Sequence, residues 1–321
     1  MNVDFRKLQN FVKIVDAGSI SRAASLLNTA QPALSQQLAA LEQYFGEQLL
    51  IRSNSGVAPT QAGLVLYRHA HSILKHLEQV TLEVSKASAS LAGHVSVGLA
   101  TYSTTSVLSL PIIQAVQALH PDITVYVNDS FGQILSELVM SGRMDMAVIY
   151  ASQPIKGTLL TPLFSEELFL VSPKNFPFAG DDIEPLELRA LQDMPLVLPG
   201  RDHFLRKLID QAFARARVEP RIVAEIDSVG ALAGAVKSGM GASILPMSVA
   251  RGTAGLEDAP IRSLTRPVIE ANVSLCTPDP MPMSEPALAV KAVLLKVVAE
   301  LLDTRPAGLT VLRDTPRPAE S

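Results

Sequence analysis

The chain has 321 residues, and 48% of them are hydrophobic, which is enough for two or three modest folded cores. The formal net charge is −4, but residues 1–90 hold eight Lys and Arg side chains against six Asp and Glu, so the remaining residues are acidic. Charged residues interrupt the longest apolar stretches, and the first residues lack the basic and apolar regions of a secretory signal. These features exclude a membrane span and predict a cytoplasmic protein. The single cysteine, Cys276, lies in an apolar strand-like segment and is expected to be a buried structural thiol.

The first 46 residues predict three short helices. Apolar residues recur at three- and four-residue spacing in residues 5–15, 20–27 and 34–45. Ser19 is a suitable N-cap for the second helix, and Pro32 suits the first turn of the third. Three short helices joined by tight turns are typical of a helix-turn-helix.

A small hairpin and a long helix follow. Residues 49–52 and 57–58 flank the turn-forming residues 53–56, which indicates a wing. The long helix opens at Pro59, and its apolar residues are spaced alternately by four and three: Leu66, Ala70, Ile73, Leu77, Val80 and Val84. This 3.5-residue period predicts a coiled-coil dimer seam; the alternative is an amphipathic helix that lies on its own domain.

The pattern changes to alternating strands and helices from His94 onward. The predicted strands are residues 95–99, 123–127, 144–149, 168–171, 196–198, 222–226 and 242–245. This alternation predicts an α/β fold with mainly parallel sheets. The length favours two lobes joined by crossovers near Pro162 and Pro267, with a last strand (271–276) and helix (287–302) that return to the first lobe.

The expected domain organisation has four parts. Residues 1–59 form the winged helix-turn-helix, 60–90 the linker and dimerisation helix, and 91–302 the two-lobed domain. Lobe I covers about 91–162 and 268–302, and lobe II covers about 163–267. Residues 303–321 are rich in proline and are expected to be a disordered tail.

Short motifs that are all typical of one protein family are spread over the chain up to about residue 302. They occupy residues 23–24, 26–27, 31–35, 41–42, 49–52 and 59–63, and further on 144–150, 196–199, 239–241 and 245–246. Together they resemble the LysR-type transcriptional regulators. Within that family, residues 11–16 and 30–37 most resemble the nitrogen assimilation control branch.

The resemblance implies a DNA-binding regulator with a winged helix-turn-helix, an antiparallel linker-helix dimer and a periplasmic-binding-protein-like effector domain. It further implies a homotetramer built as a dimer of dimers, with operator DNA, a small-molecule effector and RNA polymerase as partners and genes of nitrogen or related metabolism as targets. Ala30 and Gln36 depart from the serine and arginine that many relatives carry there.

The DNA-reading residues are expected on the third helix and the wing. Gln31, Pro32, Ser35 and Gln36 lie on the side of the third helix opposite its apolar face, so they are predicted to face the major groove. Glutamine can pair bidentately with adenine, and proline can contact a thymine methyl group. Arg52 of the wing is expected to contact phosphate or the minor groove.

The effector site is expected in the cleft between the lobes, where helix starts follow the carboxyl ends of strands. The candidate residues are Thr101, Tyr102, Ser103, Thr104, Ser130, Gly132, Gly200, His203 and Phe204. Their hydroxyl and free backbone N–H groups can bind an anion or a polar ligand without a charged side chain. The family resemblance places the inducer there too. Taken singly, each of these residues is more often a helix cap than a ligand contact.

Other classes of protein explain less of the sequence. His69, His71 and His76 lack the i, i+4 spacing of two zinc ligands, and no phosphate loop or nucleophile elbow is found, so we expect no enzyme activity, metal or cofactor. A solute-binding protein has no use for residues 1–90, and an architectural DNA protein has no use for two lobes. A ligand-responsive regulator uses both parts; a regulator that needs no effector is the alternative.

Overall fold

The computed structural model describes residues 3–53, 56–85, 91–151, 153–177 and 184–312. Its N-terminal unit contains α1 (Phe5–Ala17), α2 (Ile20–Leu26), α3 (Gln31–Phe45), β1 (Leu50–Ser53) and β2 (Gly56–Pro59). The side chains of Asp4 and Ser19 cap α1 and α2 by accepting backbone N–H groups, and Gly18 ends α1 at a positive φ of 60°. The predicted helix-turn-helix with its β-hairpin is confirmed.

The apolar residues of the predicted dimer seam fall into a buried and an exposed group on the linker helix α4 (Gln61–Ser85). Leu66 and Ala70 are 9% and 0% exposed because they pack into the core of the N-terminal unit, whose α1 lies against α4. The apolar face that stays exposed contains Ile73, Leu77 and Val80, while the side chain of Val84 lies outside the described residues. The first two seam positions therefore stabilise their own domain and are unavailable to a partner helix.

The remaining elements form two lobes. In chain order they are β3 (Gly93–Ala100), α5 (Ser109–Leu119), β4 (Ile123–Ser130), α6 (Gly132–Met140), β5 (Met146–Tyr150), β6 (Thr158–Val171), β7 (Leu186–Glu187), β8 (Pro195–Leu198), α7 (Phe204–Ala216), β9 (Arg221–Glu225), α8 (Val229–Lys237), β10 (Ser243–Pro246), α9 (Met247–Gly252), β11 (Ile261–Thr265), β12 (Glu270–Pro278), α10 (Glu285–Asp303) and β13 (Leu309–Val311). A 3-10 helix (Thr104–Leu108) precedes α5. Cys276 is buried in β12, as expected.

The lobes share a mixed nine-stranded sheet in the order β4-β3-β5-β12-β6-β11-β7, with β10 and β13 also paired to β6, while β8 and β9 form a separate two-stranded sheet. In lobe I, β3 pairs in parallel with β4 and β5, whereas β12 is antiparallel to β5 and β6. In lobe II, β8 pairs in parallel with β9, whereas β6 is antiparallel to β10 and β11. The sequence predicted mainly parallel sheets; the exceptions arise because β6 and β12 are the crossover strands, and each enters a lobe from the other one.

The C-terminal segment is more ordered than the sequence predicted. Residues 309–311 form β13, which pairs antiparallel with residues 164–166 of β6, and the Glu167 N–H donates to the Gly308 carbonyl at 2.7 Å. The predicted disordered tail (303–321) therefore includes residues that form a strand. They do so because β13 hydrogen-bonds to the backbone groups on an edge of β6 that β12 leaves unpaired. Residues 313–321 lie outside the described residues. Over the described ranges, every helix is too short or too polar to cross a membrane.

Candidate DNA-reading face and effector cleft

Helix α3 presents one polar and one apolar face. Gln31, Pro32 and Gln36 are exposed and Ser35 is half-buried, while the inner face is buried through Leu34, Leu38 and Leu41. Ala30 occupies the N-cap position without a side-chain hydrogen bond. The four predicted DNA-reading residues of α3 are therefore brought together on a free surface at the start of the helix; their contact with DNA stays a prediction.

The wing is fixed relative to α3. The Glu42 carboxylate accepts the N–H groups of Leu49 and Leu50 at 2.9 and 3.3 Å, which ties the end of α3 to β1. The Val57 N–H donates to the Gly18 carbonyl at 2.9 Å, which ties β2 to the turn between α1 and α2. Arg52 is exposed on β1, so its guanidinium is presented by a hairpin that is hydrogen-bonded to α3.

Hydrogen bonds join the two lobes across the cleft. Thr101 follows β3, and its Oγ1 lies 3.3 Å from Nε2 of His203 in lobe II. Tyr102 adopts a positive φ of 57°, and its hydroxyl donates to the Ile226 carbonyl of lobe II at 2.8 Å. The hydroxyl groups of Thr104 and Ser248, 2.6 Å apart, and the stack of Phe204 on Tyr150, with ring centroids 5.3 Å apart, add further contacts between the lobes.

His203 is the central residue of the cleft. Its Nδ1 accepts the Leu205 N–H at 3.1 Å as the N-cap of α7, so Nε2 carries the proton and donates to Thr101. The rings of Tyr102 and Phe131 pack edge-on against the imidazole at 5.2 and 5.1 Å. Burial lowers the pKa of His203 to about 4, so the ring is neutral.

Ser103 and Thr104 were predicted to contact the effector, but they face the hinge instead. Both are buried, and Ser103 Oγ accepts the Thr105 N–H at 3.2 Å. The N–H and hydroxyl of Thr104 donate to the Glu166 carboxyl group at 3.0 and 2.5 Å. The backbone groups that the sequence offered to an anion are thus occupied by the chain's own side chains.

Three further predicted residues have local roles. The Gly200 N–H donates to Asp227 at 2.9 Å, the Ser130 carbonyl accepts the Thr101 N–H at 3.1 Å, and Gly132 begins α6. Phe131, which lies between two predicted residues, is the one that reaches His203.

Sequence reasoning also missed Tyr150, Glu166 and Ile226. Of these three, Tyr150 could have been predicted from the sequence, because it ends β5 at the same edge of the sheet as Thr101.

A DNA-reading unit joined by a long helix to a two-lobed domain is the architecture of a ligand-responsive transcription regulator. The family profile described as "Bacterial regulatory helix-turn-helix protein, lysR family" matches residues 5–64, and that described as "LysR substrate binding domain" matches residues 88–299. The chain therefore belongs to the LysR family of transcriptional regulators.

Its relatives narrow the comparison. The chain is 39% identical over 297 residues to the "Nitrogen assimilation regulatory protein nac" of Escherichia coli (strain K12), covering 92% of this chain and 96% of that protein. The protein of the same name from Klebsiella aerogenes gives the same identity and coverage. Among solved structures, a full-length OxyR variant from Pseudomonas aeruginosa shares the fold with a TM-score of 0.71 at 23% identity, over 98% of this chain and 100% of that one.

Proposed function

We propose that this regulator reads operator DNA with α3 and the wing, and that a small polar molecule in the interlobe cleft changes the relative orientation of paired DNA-binding units. It works as a dimer of dimers, contacts RNA polymerase, and controls genes of nitrogen or related metabolism. The names of the two nitrogen assimilation relatives support the choice of genes.

The hydrogen bond between His203 and Thr101 carries the cleft proposal. It joins the lobes at the carboxyl end of β3, where ligands of open α/β sheets bind. The groups around it are a hydroxyl, a neutral imidazole and the aromatic rings of Tyr102 and Phe131. A molecule that replaces this bond must offer hydrogen-bonding groups to Thr101 and His203, and an uncharged polar or aromatic compound fits that lining.

The cleft is tested by Thr101→Val, which removes the hydroxyl at nearly constant volume. Gel-shift titrations use the DNA upstream of the chain's own gene, with and without candidate metabolites. We expect the metabolite response to weaken by about tenfold while metabolite-free binding stays unchanged. Thr310→Val, at an exposed hydroxyl of β13, is the matched control and should keep the response. An unaltered response in Thr101→Val would place the effector elsewhere.

The DNA-reading face is tested by two variants with different signatures. Gln36→Ala should change base preference, because a bidentate amide contact to a base edge is lost. Arg52→Ala should weaken all sites similarly and reduce the salt dependence, because a phosphate contact is lost. Gln43→Ala, which removes an exposed amide near the other end of α3, is the control. Footprints and affinities that match the parent chain in both test variants would contradict the assignment.

A regulator that needs no effector is the second candidate. It is favoured by the bridges that His203 and Tyr102 make across the cleft, since the chain's own side chains already hold the lobes together. In that case no metabolite alters the footprint, and Thr101→Val changes stability without changing regulation.

A further inference from the structure

The hinge between the lobes holds a fully buried carboxyl group. Glu166 lies in β6 where this strand passes from lobe I to lobe II, and it is 0% exposed. Its Oε2 accepts the N–H and the hydroxyl of Thr104, and its Oε1 contacts the hydroxyl of Tyr150. The Ser103 hydroxyl also hydrogen-bonds to Glu166 and to Tyr150. These partners are all neutral, and burial, which outweighs the opposite effect of the hydrogen bonds, raises the pKa of the Glu166 carboxyl group.

The hydrogen atoms of this cluster can be counted. The Tyr150 hydroxyl has one hydrogen atom but lies against two oxygen atoms, the Tyr102 carbonyl at 2.8 Å and Glu166 Oε1. A carbonyl oxygen can only accept, and so can an ionised carboxylate, so with an ionised Glu166 the single Tyr150 hydrogen atom serves only one of these two contacts. Both contacts are hydrogen bonds at the same time only if a second hydrogen atom lies between Tyr150 and Glu166. A protonated Glu166 supplies that hydrogen atom.

We infer that Glu166 is held as an un-ionised carboxylic acid and that its proton completes a chain of hydrogen bonds joining the two lobes. This series of hydrogen bonds begins at Ser248 in α9 of lobe II and passes through Thr104, Glu166 and Tyr150 to the carbonyl of Tyr102. The hydroxyl of Tyr102 then returns it to lobe II at the carbonyl of Ile226. Loss of the proton leaves the oxygen atoms of Tyr102, Tyr150 and Glu166 with one hydrogen atom too few. Protonation of one side chain therefore controls how firmly the lobes are held together.

The charged groups around this cluster lie at its edges. Glu167 follows in β6 and faces Glu270, which disfavours a further negative charge nearby. Arg251 of α9 lines, together with Glu166, a cavity of about 120 Å³, but its guanidinium donates to two backbone carbonyl oxygen atoms. Asp227 acts on Tyr102 from lobe II. Among the residues that the structure describes, no cationic side chain is paired with the Glu166 carboxyl group.

Glu166→Gln separates the two protonation states. The glutamine NH₂ group can donate to Tyr150 while its oxygen accepts from Thr104, so glutamine reproduces the un-ionised acid but not the carboxylate. With a raised folded-state pKa, the folded protein binds one more proton than the unfolded chain. The folding equilibrium constant of the parent chain should then fall about tenfold for each pH unit above the ordinary pKa, until the folded-state pKa is passed. Glu166→Gln lacks this slope.

The measurement is urea denaturation of the full chain and the variant at several pH values between about 5 and 8. We expect the stability of Glu166→Gln relative to the parent to rise with pH, and the exposed control Glu219→Gln to show no such trend. A pH-independent difference would overturn the inference.

Infrared spectroscopy of the parent chain with ¹³C-labelled glutamate gives a second readout that needs no variant. A carbonyl band of an un-ionised acid at neutral pH is expected, and its absence would overturn the inference equally.

Discussion

A single imidazole ring carries out three tasks in the cleft. His203 caps α7 through Nδ1, bridges to Thr101 through Nε2, and fills the space between the rings of Tyr102 and Phe131. Only the neutral tautomer can do all three, because a protonated ring has no acceptor for the Leu205 N–H. The residue therefore couples helix capping in lobe II to closure of the cleft.

His203 gives the chain a defined sensitivity to acid. The unfolded chain binds a proton near the ordinary pKa of 6.5, whereas burial holds the folded-state pKa at about 4, so stability falls as the pH drops through this window. At pH 5 this loss amounts to about 2 kcal/mol relative to neutral pH. His203→Asn keeps an oxygen acceptor for the cap but does not titrate, so its free energy of unfolding should lack this loss.

Urea denaturation at neutral and acidic pH checks the prediction by comparing how the free energy of unfolding changes with pH in the parent chain and in His203→Asn. His94→Asn, at an exposed position of β3, is the control and should follow the parent chain. Parallel pH profiles for His203→Asn and the parent would contradict the role of His203. The Glu166 proton acts with the opposite sign, so the difference between parent and variant, and not the parent profile alone, is the informative quantity.

At the scale of elements, α4 has two apolar stretches, one buried and one exposed to solvent. Leu66 and Ala70 are buried in the N-terminal unit, whereas Ile73, Leu77 and Val80 are 41%, 37% and 52% exposed. The three exposed residues share one side of the helix at spacings of four and three, as a partner helix requires. We propose that this shorter stretch forms the dimer contact.

The double substitution Ile73→Asp with Leu77→Asp should dissociate the dimer without unfolding the monomer, because it places charges in an apolar contact that a monomer exposes to water. Operator affinity should fall with it, since paired half-sites need linked DNA-binding units. Sedimentation velocity measures the oligomeric state. Ala70→Asp is the contrasting variant and should instead destabilise the N-terminal unit. An intact oligomer in the double variant would rule out this contact.

The start of α3 offers a stability test of a single cap. Ala30 is the N-cap and leaves the first N–H groups of the recognition helix without a side-chain acceptor. Ala30→Ser should raise the free energy of unfolding of the N-terminal unit by about 1 kcal/mol, and Ser19→Ala, which removes the cap of α2, should lower it by a similar amount. Thermal denaturation gives both values. An unchanged midpoint for Ala30→Ser would show that water or DNA already satisfies this helix start.

The elements themselves were predictable from local pattern, but the closure of the site was not. Helix periodicity, the Gly18 and Gly46 stops and the β-type runs predicted the N-terminal unit and most strands of the lobes, but not β7, β11, β13 or the order of the strands within the sheets. The roles of Glu166 and His203 depend on contacts across 62 and 102 positions of sequence. A hydroxyl that caps its own helix and one that bridges two lobes look alike in sequence, so Ser103 and Thr101 could not be told apart.

At the scale of the whole molecule, α4 connects the DNA-reading unit to lobe I directly. Lys75 forms an ion pair with the buried carboxylate of Asp145, which also accepts the N–H and hydroxyl of Ser96 at 2.8 Å each. Gly142 has a positive φ of 73°, and a Cβ there would lie 3.3 Å from the backbone oxygen of Arg68. Arg68 and Lys75 point to lobe I, on a different side of α4 from the exposed apolar stretch. Docking in one chain and pairing with a second chain are thus compatible.

Gly142→Ala tests whether this contact fixes the DNA-reading unit on lobe I. The new Cβ combines strain at a positive φ with close approach to α4, so the two units should separate while each stays folded. Lys75→Met should have a smaller effect in the same direction, since it removes the ion pair but keeps the aliphatic stem.

Pulsed electron resonance between spin labels at Gln43 and Gln117, both exposed, should give a broader distance distribution in each variant. Lys296→Met, which breaks an exposed pair within α10, is the control and should keep the parent distribution. A distribution as narrow as the parent's in Gly142→Ala would mean that this contact does not set the orientation of the DNA-reading unit.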